Sequence, residues 1–179
     1  ADTVALEVAK ELGIATGGWA PPGFLTSEGV NLALRDVYGL LPMEMPTKST
    51  SAAASLVQRS CRNVDSAQAT VAFRITASPG TDKTIWYCAT GRWPRGATNG
   101  ALPPASVAAH TPCCVVTRVG DAGAAMQSLL AFVLRHRPAT LNVVGHRASV
   151  GGAVYVRQVR LILLLLFGRL RELGCLAPV

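Results

Sequence analysis

Charge is scarce in this sequence. Of 179 residues only 15% are Asp, Glu, Lys or Arg, and aromatic residues supply a further 6%. Half the chain is apolar and the mean hydropathy is +0.33. Intrinsic disorder needs low hydrophobicity with high charge, so it is excluded. The length fits one domain, and the shortage of charge is the composition of chains that cover part of their surface in an oligomer. Acids are the scarcer sign. Ten Asp and Glu stand against 17 Lys and Arg, for a net charge of +7 and an isoelectric point near 9.7. That balance suits an anionic partner without specifying which one.

Paired cysteine patterns are also missing. Cys61, Cys88, Cys113, Cys114 and Cys175 are odd in number and have no CxxC spacing, which excludes a disulfide framework and a structural zinc site. Cys113 and Cys114 sit in an apolar run and read as small buried residues, in a reducing, cytoplasmic setting. Long hydrophobic runs are lacking as well. Residues 161–167 form the longest, against roughly 18 for a membrane span. Arg157, Arg160, Arg169 and Arg171 bracket it, so no membrane contact is expected, and no signal peptide opens the chain. No GxSxG elbow or GxxxxGK[ST] loop is present. His110, His136 and His146 have neither metal spacing nor an obvious nucleophile partner. Glu28 and Glu44 are the acids nearest to strand ends, and nothing resembles a tuned acid–base pair. No catalytic residue is assigned, and no nucleic-acid motif is found.

What is present is an alternation of helices and short apolar strands. Asp2 can cap a helix over residues 3–12, stopped by Gly13. Residues 14–19 read as a strand ending at a Gly-Gly turn, 20–36 as an ordered loop, and 38–44 as a short strand. Residues 47–51 form a polar linker that caps a helix over 52–67. A buried strand spans 69–76, a helix 82–89, and a long irregular insertion 91–111. Strands at 113–117 and 140–144 flank a helix at 122–136, and a helix over 152–173 ends the chain. The stretch within it from Leu161 to Leu166 is apolar nearly all round and needs cover on more than one side, which again points to an oligomer. This order predicts an α/β fold, a mostly parallel sheet with helices on both faces. Ligands of such sheets bind beyond the carboxyl ends of the strands.

Three clusters fall at those ends. The first is Gly17, Gly18 and Trp19; Trp19 suits either the core or stacking on a flat heterocycle. The second is Ser78, Gly80, Thr81, Asp82, Lys83 and Thr84. Its glycine lets the backbone approach a ligand closely, and its helix start offers free N–H groups and the positive dipole end to a phosphate. The third is Asn142, Gly145, Arg147 and Ser149, in which Arg147 can clamp an anion bidentately.

Taken in order, these segments resemble the molybdenum cofactor carrier family, including the algal carrier proteins. The similarity starts at ADTVALEVAKELGI, passes through Gly17-Gly18-Trp19, and resumes at Arg62-Asn63-Val64 ahead of the central strand. It continues through Gly80-Thr81-x-x-Thr84 and ends at Leu141-Asn142-Val143-Val144-Gly145-x-Arg147-x-Ser149. The resemblance implies one Rossmann-like domain over residues 1–179, related to the lonely-guy and lysine-decarboxylase-like proteins and assembled as a dimer or tetramer. It implies a carrier that binds the molybdenum cofactor, a pterin dithiolene with a terminal phosphate, and hands it to molybdoenzymes such as nitrate reductase. The thirteen residues of the three clusters would form the cofactor site, with no metal bound directly by the protein.

The family opens with a strand and a GGQTG turn that this sequence lacks before its first helix, so that segment is expected upstream of Ala1. The 91–111 insertion is longer than in typical bacterial members. A competing reading is a nucleoside-monophosphate phosphoribohydrolase. Relatives of that type carry PGGxGTxxE, and Thr84 stands where their glutamate would be; a threonine cannot supply the carboxylate that glycosidic chemistry uses. A module binding some other nucleotide is the third reading.

Overall fold

A computed structural model describes residues 1–26, 29–44, 52–96, 98, 100–103 and 109–176. The linker expected at residues 47–51, and Glu28, lie outside them. In chain order the elements are α1 (Asp2–Glu11), β1 (Trp19–Ala20), β2 (Leu25–Thr26), β3 (Gly29–Val30), α2 (Ala33–Asp36), β4 (Leu41–Pro42), α3 (Ala52–Asp65), β5 (Ala69–Phe73), α4 (Pro79–Thr90), β6 (Cys113–Val116), α5 (Ala122–His136), β7 (Leu141–Gly145) and α6 (Ala148–Glu172).

Strands β6, β5 and β7 form a parallel sheet with β5 in the centre. All five residues of β5 are buried, the mark of a strand covered on both faces. Its side chains alternate between those faces. Val71 and Phe73 enter the main core with Val4 and Val8 of α1, Leu129 and Val133 of α5, and Val159, Ile162, Leu163 and Leu166 of α6. Thr70 and Ala72 point the other way, towards α4. A separate parallel pair, β1 with β4, carries Trp19 beside Leu41, and β2 with β3 makes a small antiparallel hairpin. The molecule is thus an α/β protein with parallel strands between helical layers, as the alternation in the sequence predicts.

Helix α6 is long and apolar enough, by length and composition, to cross a membrane. Its inner face is nevertheless filled by core contacts: Val159, Ile162, Leu163 and Leu166 are fully buried. Each such side chain contributes about 1.5–3 kcal/mol by leaving water. An uninterrupted apolar count misses this helix because Arg157, Arg160 and Arg169 break the run without breaking the buried stripe.

Several boundaries differ from the sequence expectations for physical reasons. Asp2 is inside the first turn of α1 and makes no capping bond. The strand expected over 14–19 shrinks to Trp19–Ala20, and that expected over 38–44 to Leu41–Pro42, because each has only the other as a partner. Strand β5 ends at Phe73, since the Arg74 side chain turns to Asp82. Helix α4 begins three residues early, at Pro79, a residue suited to the first turn because it has no N–H to leave unpaired. Its N-cap is Ser78, whose side chain makes no capping bond. Helix α6 starts at Ala148 and kinks at Gly152, where φ is 70°.

Candidate functional site

Gly18 and Trp19 are fastened to α3 by one side chain. The Trp19 N–H donates to Asn63 Oδ1 at 2.8 Å, and Asn63 Nδ2 donates to the Trp19 carbonyl at 3.1 Å. Gly18 has φ +118°, and a Cβ there would lie 3.0 Å from Asn63 Oδ1, so glycine is required on both counts. The indole Nε1 donates to Ser66 Oγ, and the Arg62 guanidinium stacks 4.7 Å from the ring centroid. Trp19 is therefore half-buried, with a cation already on one face.

A cleft of about 1660 Å³ opens beside this clamp. Its walls include Gly17, Gly18 and Trp19, Gly80 at the start of α4, Asn142 near the amino end of β7, and Arg147 beyond its carboxyl end. Three separate sequence clusters are thus brought to one cavity. The first turn of α4 leaves amides without intrahelical acceptors and carries the positive end of the dipole. Gly80 adds an open approach, because a Cβ built on it would meet nothing within 4 Å. Arg147 is exposed. Asn142 donates from Nδ2 to Thr70 Oγ1 at 3.2 Å, which fixes the amide on the cavity wall.

The remaining predicted residues do not line the cleft, and their environments say why. Asp82 is 1% exposed and is held by Arg74, with Nε 2.6 Å from Oδ1 and Nη2 3.4 Å from Oδ2. It also accepts the Ser78 N–H at 3.1 Å. Arg74 in turn donates to the Gly100 carbonyl at 2.8 Å. This carboxylate ties the end of β5, the first turn of α4 and the following loop together, so it braces the helix start rather than facing the cavity. Thr81 and Thr84 are buried, and Thr84 Oγ1 donates back to the Gly80 carbonyl at 3.0 Å. Lys83 is half-buried and Ser149 exposed, neither on the cavity wall. Gly145 is dictated by packing: a Cβ would lie 2.7 Å from the Phe73 carbonyl and from Tyr155 Oη.

Two lining residues escape the sequence reading. Asn63 is the clamp just described. Arg59, one helical turn earlier on α3, lines the same cleft. Its Nε is buried without a hydrogen-bond partner, and among the described residues it has no ion-pair partner. Arg59 and Asn63 are four residues apart, which puts both on one helix face; that spacing alone does not mark an arginine as unpaired. Among the described residues no group of three or more metal-ligating side chains occurs. Two of the free cysteines are held as thiols: burial pushes the Cys114 thiol up, and burial with the nearby Asp65 charge pushes Cys61 up to about 11.

No curated protein matches the chain. A solved structure from Syntrophus aciditrophicus, whose name gives it as a proposed molybdenum carrier protein, superposes with a TM-score of 0.69. It is 20% identical, and the alignment covers 92% of this chain and 87% of that one, which establishes a shared fold. The model of the circularly permutated YpsA SLOG family matches residues 1–166, nearly the whole length, and the chain belongs to that family.

Proposed function

We propose that the cleft binds a phosphate-bearing heterocycle and that the chain is a carrier for the molybdenum cofactor, of the kind found among the algal carriers. The observation that carries this reading is Arg59. A guanidinium whose buried Nε has no hydrogen-bond partner among the described residues, lining a cavity that also takes in a helix N-terminus and a second arginine, is the arrangement an anionic head group would satisfy. An unpaired buried donor costs about 1–3 kcal/mol, and a ligand oxyanion removes that cost. The phosphate would meet the Gly80 amide, Arg59 and Arg147. The pterin would lie towards Trp19 and Asn142, whose fixed amide can read a heterocycle edge. The similarity of fold to a protein named as a proposed molybdenum carrier supports the choice of ligand.

The Thr84 hydroxyl is committed to the Gly80 carbonyl, and Asp82, on the first turn of α4, is committed to Arg74. Neither is placed to assist cleavage of a glycosidic bond, which favours holding over hydrolysis. Cytoplasmic location, assembly into a dimer or tetramer, a single domain over the chain and delivery to molybdoenzymes belong to the same reading. Titration with molybdenum cofactor, beside Arg59→Gln and Arg147→Ala, tests it. Affinity should fall at least about tenfold in each variant; equal affinity in all three proteins removes the site. Release of free base from a nucleoside monophosphate, above a protein-free control, would instead favour the hydrolase.

A further inference from the structure

His146 is 2% exposed and sits where the two anion-facing segments meet. Its Nε2 accepts the Thr76 N–H at 3.3 Å, on the connection from β5 to the start of α4. Its backbone N–H donates to Tyr155 Oη at 3.0 Å, and that hydroxyl donates to the Phe73 carbonyl at 3.2 Å. Its carbonyl accepts the Ala1 nitrogen at 2.9 Å. The next residue is Arg147. One imidazole therefore braces the Thr76 segment, which leads to Gly80, against the end of β7, which leads to Arg147. Since Nε2 accepts, the ring proton is on Nδ1, and that atom is buried with no partner.

We infer that His146, in its neutral form, is the positioning residue that holds the Gly80 and Arg147 walls of the cleft in register, and that its protonation weakens anion binding. The inference rests on the reading that an anion seats at Gly80. Protonation would set an Nε2–H against the Thr76 N–H, two donors face to face in a partly buried contact, and the segment must move away. The charged side chains around the ring are Asp82 on α4, which favours the imidazolium, and Arg74 beyond β5, which opposes it. Tyr155 of α6 lies edge-on with centroids 5.9 Å apart, and burial raises its hydroxyl to about 12, so it stays neutral. Desolvation is the largest influence on His146 and lowers its pKa below the ordinary 6.5. The neutral form thus holds through the physiological range.

Sulfate, whose charge is constant over the range, is the probe, and the test compares the wild-type chain with His146→Gln. Glutamine can accept the Thr76 N–H and does not titrate. Wild-type affinity for sulfate should fall roughly tenfold between about pH 7.5 and about pH 5, while His146→Gln changes by less than about twofold. A wild-type affinity that rises on acidification, as simple attraction to an imidazolium would give, overturns the inference, as does the same profile in both proteins. Amide exchange at Thr76 supplies a ligand-free reading. Protection should collapse on acidification in the wild type and persist in His146→Gln; equal protection in both overturns the positioning role. Sulfate binding to neither protein at any pH, with the exchange difference intact, would count against the anion site alone.

Discussion

Asn63 grips both the N–H and the carbonyl of Trp19, at 2.8 and 3.1 Å, across 44 residues of sequence. The Gly17–Trp19 segment and the Arg62–Val64 segment of α3 are therefore in direct contact. The bond pair places the Gly17–Trp19 wall of the cleft against α3, the helix that also carries Arg59.

Asn63→Ala should remove both bonds and leave two backbone groups unpaired beside a half-buried indole. The expected loss is about 1–3 kcal/mol of unfolding free energy. The tryptophan environment should change with it, measured by denaturant unfolding and emission spectra.

Gly80→Ala separates binding from folding. The position is helical and open, so alanine should leave stability unchanged or raise it by up to about 1 kcal/mol. If an oxyanion approaches the Gly80 amide, the same methyl should weaken its binding. Thermal unfolding with and without phosphate reads both effects; a variant that is destabilised, or that binds phosphate as the wild type does, contradicts the assignment.

The Arg74–Asp82 pair is nearly dry, with side chains 14% and 1% exposed. Removing either partner alone leaves a buried uncompensated charge, and each of Arg74→Met and Asp82→Asn should cost about 3–5 kcal/mol. The double variant should cost clearly less than the sum, which a double-mutant cycle of denaturation measurements would show.

Gly145→Ala tests whether that glycine serves packing. Its Cβ would meet a backbone carbonyl and a fixed phenol at 2.7 Å, so a loss of about 1–3 kcal/mol or more is expected. A variant with wild-type stability would reopen a ligand role for the position.

The order of elements was legible because a parallel sheet needs continuous apolar strands, and residues 69–73 and 113–116 are such runs. Strand ends were less so. Whether Arg74 continues β5 depends on Asp82 eight residues later, a contact that no local pattern carries. Gly80 and Arg147 reach the cavity because they follow strands, whereas Gly17 and Gly18 precede β1 and Asn142 lies near the start of β7, and only the fold brings these three to the same wall. Asp82 and Thr84 looked like ligand groups by type alone, and only the fold reveals that both are already engaged. Arg59 was invisible for the opposite reason: nothing in its neighbourhood marks an arginine as unpaired.

The most direct test of the account is calorimetric titration of the purified chain with molybdenum cofactor, beside Arg59→Gln. Binding of about one ligand per chain, weakened at least roughly tenfold in the variant while its melting temperature holds or rises, is the predicted result. No heat of binding in the wild type, or an affinity indifferent to Arg59, would contradict it.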